Sequence, residues 1–110
     1  LFEDILYENP LLSEFMGGLT ENYVCSQLRS KGMELYYWTS GNQAEVDFVT
    51  RIGAGIIPIE VKTSVHTRSK SLSVYAGKYN PPYAIRISAK NFGFENGIKS
   101  IPLYAVFCIE

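Results

Sequence analysis

AEVDFVTRIGAGIIPIEVKT, residues 44–63, reads as a β-hairpin. Residues 44–52 and 55–63 are strand-length runs rich in β-branched residues. Gly53-Ala54 between them suits a two-residue loop, because glycine at the first central position permits a type II′ turn. Pairing Ile52 with Gly55 places Asp47 opposite Glu60 and Glu45 opposite Lys62. Directly opposed side chains have Cβ atoms roughly 4.5–5.5 Å apart. Alternation puts Glu45, Asp47 and Val49 on one face and Val46 and Phe48 on the other. It also gives Glu60 and Lys62 a common face with Pro58, with Ile57, Ile59 and Val61 pointing oppositely. Turn chemistry and side-chain period therefore agree on a register that gathers Asp47, Glu60 and Lys62 on one face of a sheet.

Outward from the hairpin, GLTENYVCSQLRSK (18–31) reads as a helix, with Thr20 as N-cap and Gly32 as the C′ stop. ELYYWT (34–39) is an aromatic strand. SKSLSVYAGKY (69–79) reads as a helix burying Leu72, Tyr75, Ala76 and Tyr79, ended by Pro81-Pro82. YAIRIS (83–88) is a strand, NFGFENGIKS (91–100) a loop or short hairpin, and IPLYAVFCI (101–109) a final strand. The expected fold is α/β, a central mixed β-sheet with flanking helices in the order α-β-β-β-α-β-β. Residues 1–16, amphipathic turns interrupted by Pro10, are expected to be a helical lead-in from a missing upstream part. Residues 17–110 form the domain.

The chain of 110 residues is 46% hydrophobic and 19% charged, which fits one globular domain with its own core. No run approaches the roughly 18 apolar residues of a membrane span. Cys25 and Cys108 lie in apolar stretches and read as small buried hydrophobes of a cytoplasmic protein. Net charge is −1, which excludes a polycation that binds nucleic acid by charge alone. The charges are segregated, however. Residues 1–60 hold nine acids and three bases, whereas 61–94 hold six bases and no acid. That pattern fits a basic rim beside an acidic site, or equally a solvated helix with its flanking loops.

Two carboxylates as close as Asp47 and Glu60 repel unless a shared proton, a lysine or a hard dication neutralises them. Mg²⁺ takes oxygen ligands and keeps several waters, so two carboxylates and a substrate phosphate suit it. Lys62 beside such a site would orient a water and offset charge in the transition state. The plainer alternative is a cross-strand Glu45–Lys62 ion pair beside a solvated Asp47. Glu21 lies at helical spacing from Val24, Cys25 and Leu28, on the apolar stripe, where a carboxylate needs a partner. Its alternative is a first-turn acid favoured by the helix dipole.

Glu21 on a helix, Asp47 in EVDF and Glu60-Val61-Lys62 in IEVK resemble the PD-(D/E)XK nuclease signature. ENYV, YYW, EVDF, IPIEVK and SL followed by an aromatic are similar to the C-terminal domain of many prokaryotic AAA-type ATPases. The resemblance runs from about Gly17 to Tyr104. It implies a restriction-endonuclease-like fold and Mg²⁺-dependent (or Mn²⁺-dependent) hydrolysis of DNA. Asp47, Glu60 and the carbonyl of Val61 would be metal ligands, Lys62 the catalytic lysine and Glu21 the supporting helix acid. The proline of the PD half is absent, since Val46 precedes Asp47. Partners implied are DNA, an upstream ATPase part that alone would use ATP, and a second copy, because related folds often act in pairs. The other reading is a catalytically silent module of the same fold that binds nucleic acid or a partner protein.

Arg68, Lys70 and Lys78 are candidate nucleic-acid contacts in the basic stretch. His66, the lone histidine, reads as a solvated loop residue, which argues against a His/Cys zinc site. Trp38, Tyr36 and Tyr37 read as strand core or sheet surface before base-stacking platforms.

Overall fold

The computed structural model describes residues 10–40, 45–62 and 70–109, with side chains from residue 17 onward. Residues 1–9, His66, Arg68 and the ends of the two hairpin runs at 44 and 63 lie outside the described residues. Helix α1 spans Pro10–Ser30 and is followed by β1 (Tyr36–Thr39), β2 (Glu45–Ile52) and β3 (Gly55–Val61). Helix α2 (Lys70–Tyr79) then leads to β4 (Ala84–Ser88), β5 (Gly93–Glu95), β6 (Ile98–Pro102) and a 3₁₀ segment, Leu103–Cys108. One six-stranded mixed sheet runs in the order β1-β2-β3-β4-β6-β5. Strands β3, β4 and β6 are parallel neighbours, and the other pairs are antiparallel.

The hairpin has the expected register. Phe48 pairs with Ile59 and Ile52 with Gly55. Gly53 takes φ +61°, and Ala54 does not take positive φ, which is the type II′ pattern. Gly55 has a separate reason to be glycine: a Cβ there would lie 2.9 Å from Cγ of Pro82. The neighbour is a ring carbon that cannot swing away. Gly55→Ala is therefore expected to destabilise the domain by about 1–3 kcal/mol, read as a lower urea midpoint with unchanged slope.

Helix α1 starts earlier than expected. Pro10 fits the first turn, where its missing N–H costs nothing, so Thr20 is a mid-helix residue and not an N-cap. The expected division between residues 16 and 17 falls inside this helix. Its end is as expected: Gly32 has φ +82°, its N–H donates to the Arg29 carbonyl (2.9 Å), and the Met33 N–H donates to the Leu28 carbonyl (3.3 Å). This is a Schellman cap. Val24 and Leu28 are fully buried against Ile57, Ile59, Ile85 and Ile87 on one side of the sheet. Each such side chain is worth roughly 1.5–3 kcal/mol of burial. Glu21, expected on that stripe, is exposed.

Helix α2 covers the other side, with Leu72 and Tyr75 packed on Val46, Val49 and Ala84. Ala76 is half-buried, and Tyr79 is 51% exposed rather than core. Its ring closes an aromatic trio with Trp38 and Tyr75, and Trp38 Nε1 donates to the Tyr79 hydroxyl at 3.3 Å. Trp38 thus ties β1 to α2, whereas Tyr36 and Tyr37 are exposed.

Val46 and Val49 in one cluster correct the simple alternation expected along 45–49. Trp38 pairs with Val46 but Tyr36 with Val49, so β2 carries one extra residue opposite Tyr37. This β-bulge at Asp47-Phe48 turns Phe48 toward α1 and re-aims Asp47. At the other end of the chain, Asn96 and Gly97 both take positive φ and close the β5–β6 hairpin. The run 101–109 is strand only to Pro102. Beyond it Val106 and Ile109 are buried three residues apart, the period of a 3₁₀ turn. Cys25 is half-buried and Cys108 exposed, and both are free thiols, which corrects their expected burial. No helix among the described residues is long and apolar enough to cross a membrane.

Candidate functional site

The hairpin ladder stops at Phe48–Ile59, and the same register carried one step further sets Asp47 opposite Glu60. Beyond that point the bulge has ended the β2–β3 ladder, so the Val61 N–H on the β2 edge of β3 has no strand carbonyl to donate to. Asp47 supplies the acceptor: Oδ2 accepts the Val61 N–H at 2.8 Å. The bulge makes this reach possible. A carboxylate thus replaces a strand carbonyl at the open end of the hairpin.

Asp47 and Glu21 line a cleft of about 300 Å³ together with Arg29, Tyr36, Tyr37 and Phe48. Burial, with a hydrogen bond to Glu21 and the charges of Glu21 and Glu60, raises the Asp47 carboxyl to about 7, against the lowering effect of the Val61 N–H. A carboxyl–carboxyl contact of this kind calls for a shared proton or a cation. Glu21 therefore reaches the site from an exposed position on α1, not from the buried stripe.

Glu60 is 5% exposed. It alternates with Ile59 and Val61, which pack on the α1 side, and so faces the other way. Its Oε1 lies 3.4 Å from Lys62 Nζ and its Oε2 lies 3.5 Å from Arg86 Nε. The three carboxyls are thus distributed around the open end of the ladder rather than on one shared face. Glu45 accepts a hydrogen bond from the Tyr37 hydroxyl, so the Glu45–Lys62 pair does not form. The Glu45 carboxylate beside the Tyr37 phenol raises that phenol above its ordinary value.

Arg86 is the participant that sequence reasoning did not single out. Its signal is a lone charge inside the apolar run YAIRIS, at the position that parallel pairing sets beside Glu60. Lys70 and Lys78 are exposed on α2, and Lys78 Nζ lies 5.8 Å from the Tyr79 ring centroid.

Residues 16–106 match the family described as Domain of unknown function (DUF4143). The chain belongs to the DUF4143 family. No curated protein and no solved structure matches it. The DUF4143 match takes in Glu21, Asp47, Glu60, Lys62 and Arg86, so the whole constellation lies inside the family's own domain.

The donor type of this DUF4143 site, though not its arrangement, suits a hard dication. All candidate side-chain donors are carboxylate oxygens, and one of them, Glu60 Oε2, is buried with no hydrogen-bond partner. In their present positions, no three metal-ligating side chains among the described residues converge on one point.

Proposed function

We propose that this DUF4143 domain has a restriction-endonuclease-like fold and hydrolyses phosphodiester bonds of DNA with Mg²⁺ or Mn²⁺, as the C-terminal part of a AAA-type ATPase. The order helix, three-stranded meander, helix, strand supports the fold. The observation that carries the function is the Asp47–Glu21 carboxyl pair in an open cleft, with Glu60 and Lys62 on the adjoining strand.

In this reading Asp47, Glu60 and the carbonyl of Val61 would hold the cation, and Glu21 would support it or its waters. A bound dication would polarise the phosphoryl oxygen and make its water more acidic. The chain's own groups do the rest. The Val61 N–H fixes the Asp47 carboxylate in place. The Lys62 ammonium supplies positive charge where the phosphorane oxygens accumulate negative charge and orients the attacking water. Exposed Lys70 and Lys78, with Arg68 in the basic stretch, are the groups to contact the DNA backbone, and such contacts position without reading sequence.

One observation favours the second reading, a silent nuclease-fold module that binds nucleic acid or a partner protein. Glu60, which a cation site needs, is taken by Lys62 and Arg86. Titration of Mg²⁺ and Mn²⁺ against supercoiled DNA decides between the two, using both the full-length protein and this domain. The first reading expects nicking that appears with the cation and disappears with EDTA. DNA retained on the protein but uncut at every cation concentration establishes the second.

A further inference from the structure

Strand β1 is an edge of the sheet: among the described residues it has a strand neighbour, β2, on one side only. The opposite edge, β5, is three residues long, ends on a charge at Glu95 and folds straight back through Asn96-Gly97. Charge and brevity of that kind discourage the addition of a further strand. β1 contains no charge and no proline, and Tyr36 and Tyr37 are each 62% exposed. A cavity lies against this edge on each face of the sheet. On the α1 side is the cleft of Asp47 and Glu21, walled by Tyr37 and Phe48. On the other side is a cavity of about 430 Å³ lined by Met33, Glu34, Tyr36, Val49, Arg51 and Ile56. Its face follows from the register: Val49 packs toward α2, and the Arg51–Ile56 pair alternates with Thr50–Ile57, whose Ile57 faces α1. Tyr36 borders both cavities.

A strand added to a free edge bonds through its backbone and sends successive side chains to opposite faces. Two cavities, one on each face and meeting at Tyr36, therefore receive two adjacent side chains of one extended segment. Their chemistry differs. The α1-side cleft offers two carboxyls and aromatic rings, which suit a guanidinium or an ammonium. The other cavity offers Met33, Val49 and the exposed Ile56, which suit an apolar side chain. We propose that β1 is a docking edge for an extended segment of a partner protein, with a basic residue in the Asp47–Glu21 cleft and its apolar neighbour in the Met33–Val49–Ile56 cavity. The inference deepens the second reading above and rests on it. Charge argues for such a segment over a second copy of this chain. Four carboxyls, of Glu21, Glu34, Glu45 and Asp47, flank β1 against two guanidinium groups, of Arg29 and Arg51. Two copies joined β1 to β1 bring like charges together, whereas a basic segment answers the excess.

The probe is a library of capped eight-residue peptides, with two adjacent central positions randomised in a threonine–valine frame. Selection on the ¹⁵N-labelled domain is expected to enrich arginine or lysine beside leucine, isoleucine, methionine or phenylalanine. The selected peptide should slow hydrogen exchange of the β1 amides. Glu21→Gln is expected to weaken that peptide about tenfold, the order of one lost anchoring contact, and to relax the basic position alone. Ile56→Ser should weaken it to a similar degree and relax the apolar position alone. Both side chains are exposed, so neither change empties the core. Enrichment without protection of β1 places the partner surface elsewhere, which overturns this inference and leaves the partner-binding reading standing. No enrichment, or enrichment of acidic residues, overturns the inference as well. Protection of the β1 amides that grows with protein concentration in the absence of peptide assigns the edge to a second copy, and that too overturns it. The reading on which the inference rests is judged separately, by the cation titration on DNA.

Discussion

Lys62→Met is expected to lower Mg²⁺-dependent DNA cleavage by about 10²–10³-fold, the usual loss on removing one preorganised electrostatic group from a reacting centre, while cation binding persists. The structure separates the two effects. Lys62 is half-buried, and its side chain touches the site only through Nζ, 3.4 Å from Glu60 Oε1. Its backbone N–H donates to the Ile87 carbonyl at 2.8 Å, and that bond holds β3 against β4 whatever the side chain. Methionine keeps the apolar stem and removes the charge. Glu60 retains Arg86, so the variant leaves no buried carboxylate without a counter-charge. Single-turnover cleavage and Mn²⁺ affinity measured on one preparation give the split. Lys62→Arg restores charge but not the compact ammonium, and partial recovery is expected. Undiminished cleavage by Lys62→Met would remove this lysine from the chemistry.

The hairpin was legible because two independent signals agree on it. A glycine that alone takes positive φ at Gly53 defines the turn, and the turn defines the register down to Phe48–Ile59. The C-terminal end of α1 was legible for the same reason, since Gly32 supplies the left-handed residue a Schellman cap requires. The bulge at Asp47-Phe48 was not. Local sequence there is an unbroken strand pattern, and the extra residue is selected by tertiary packing: Trp38 must meet Tyr75 and Tyr79 while Phe48 faces α1. Alternation carried through that point assigns Asp47 to a face, whereas the residue belongs to the ladder's open end. Helical spacing puts Glu21 on a buried stripe because it gives an angle around the axis but not a depth. Arg86 was legible in principle, as a charge among isoleucines. Identifying its partner needs the strand order, and parallel pairing of β3 with β4 is a non-local fact. The run 101–109 illustrates a further limit: continuous apolarity is common to a buried strand and a buried turn, and only period separates them.

The second large effect concerns pH. Asp47 carries a carboxyl raised to about 7, mainly by burial and also by Glu21 and Glu60, whereas in the unfolded chain it titrates near the ordinary Asp value of about 3.9. Between those two values the folded state holds a proton that the unfolded state has released. Stability therefore falls as pH rises from about 4 to about 7, where the Asp47 contribution is lost, and it changes no further above that. Glu21 and Arg29 from α1 and the Tyr36 and Tyr37 phenols from β1 line the cleft with Asp47, and Glu60 acts on it by charge from the other side of β3; Glu21 and Glu60 lower its acidity, and the Tyr37 phenol stays neutral throughout this range. Asp47→Asn removes the titration but keeps an amide oxygen to accept the Val61 N–H. In buffers with EDTA, the variant is expected to melt on the order of 5 °C higher than the unaltered chain at pH 8, a figure already reduced for the solvent screening of a half-buried group. At pH 4.5, where Asp47 is protonated in the folded chain, the two should melt together. Saturating Mg²⁺ should close the gap at pH 8 by neutralising the same charge, and should do nothing for Asp47→Asn. Parallel melting curves across the whole range, with no Mg²⁺ effect, would mean that the Asp47–Glu21 pair is already neutralised by some other partner, and the cleft would then have no charge for a cation to answer.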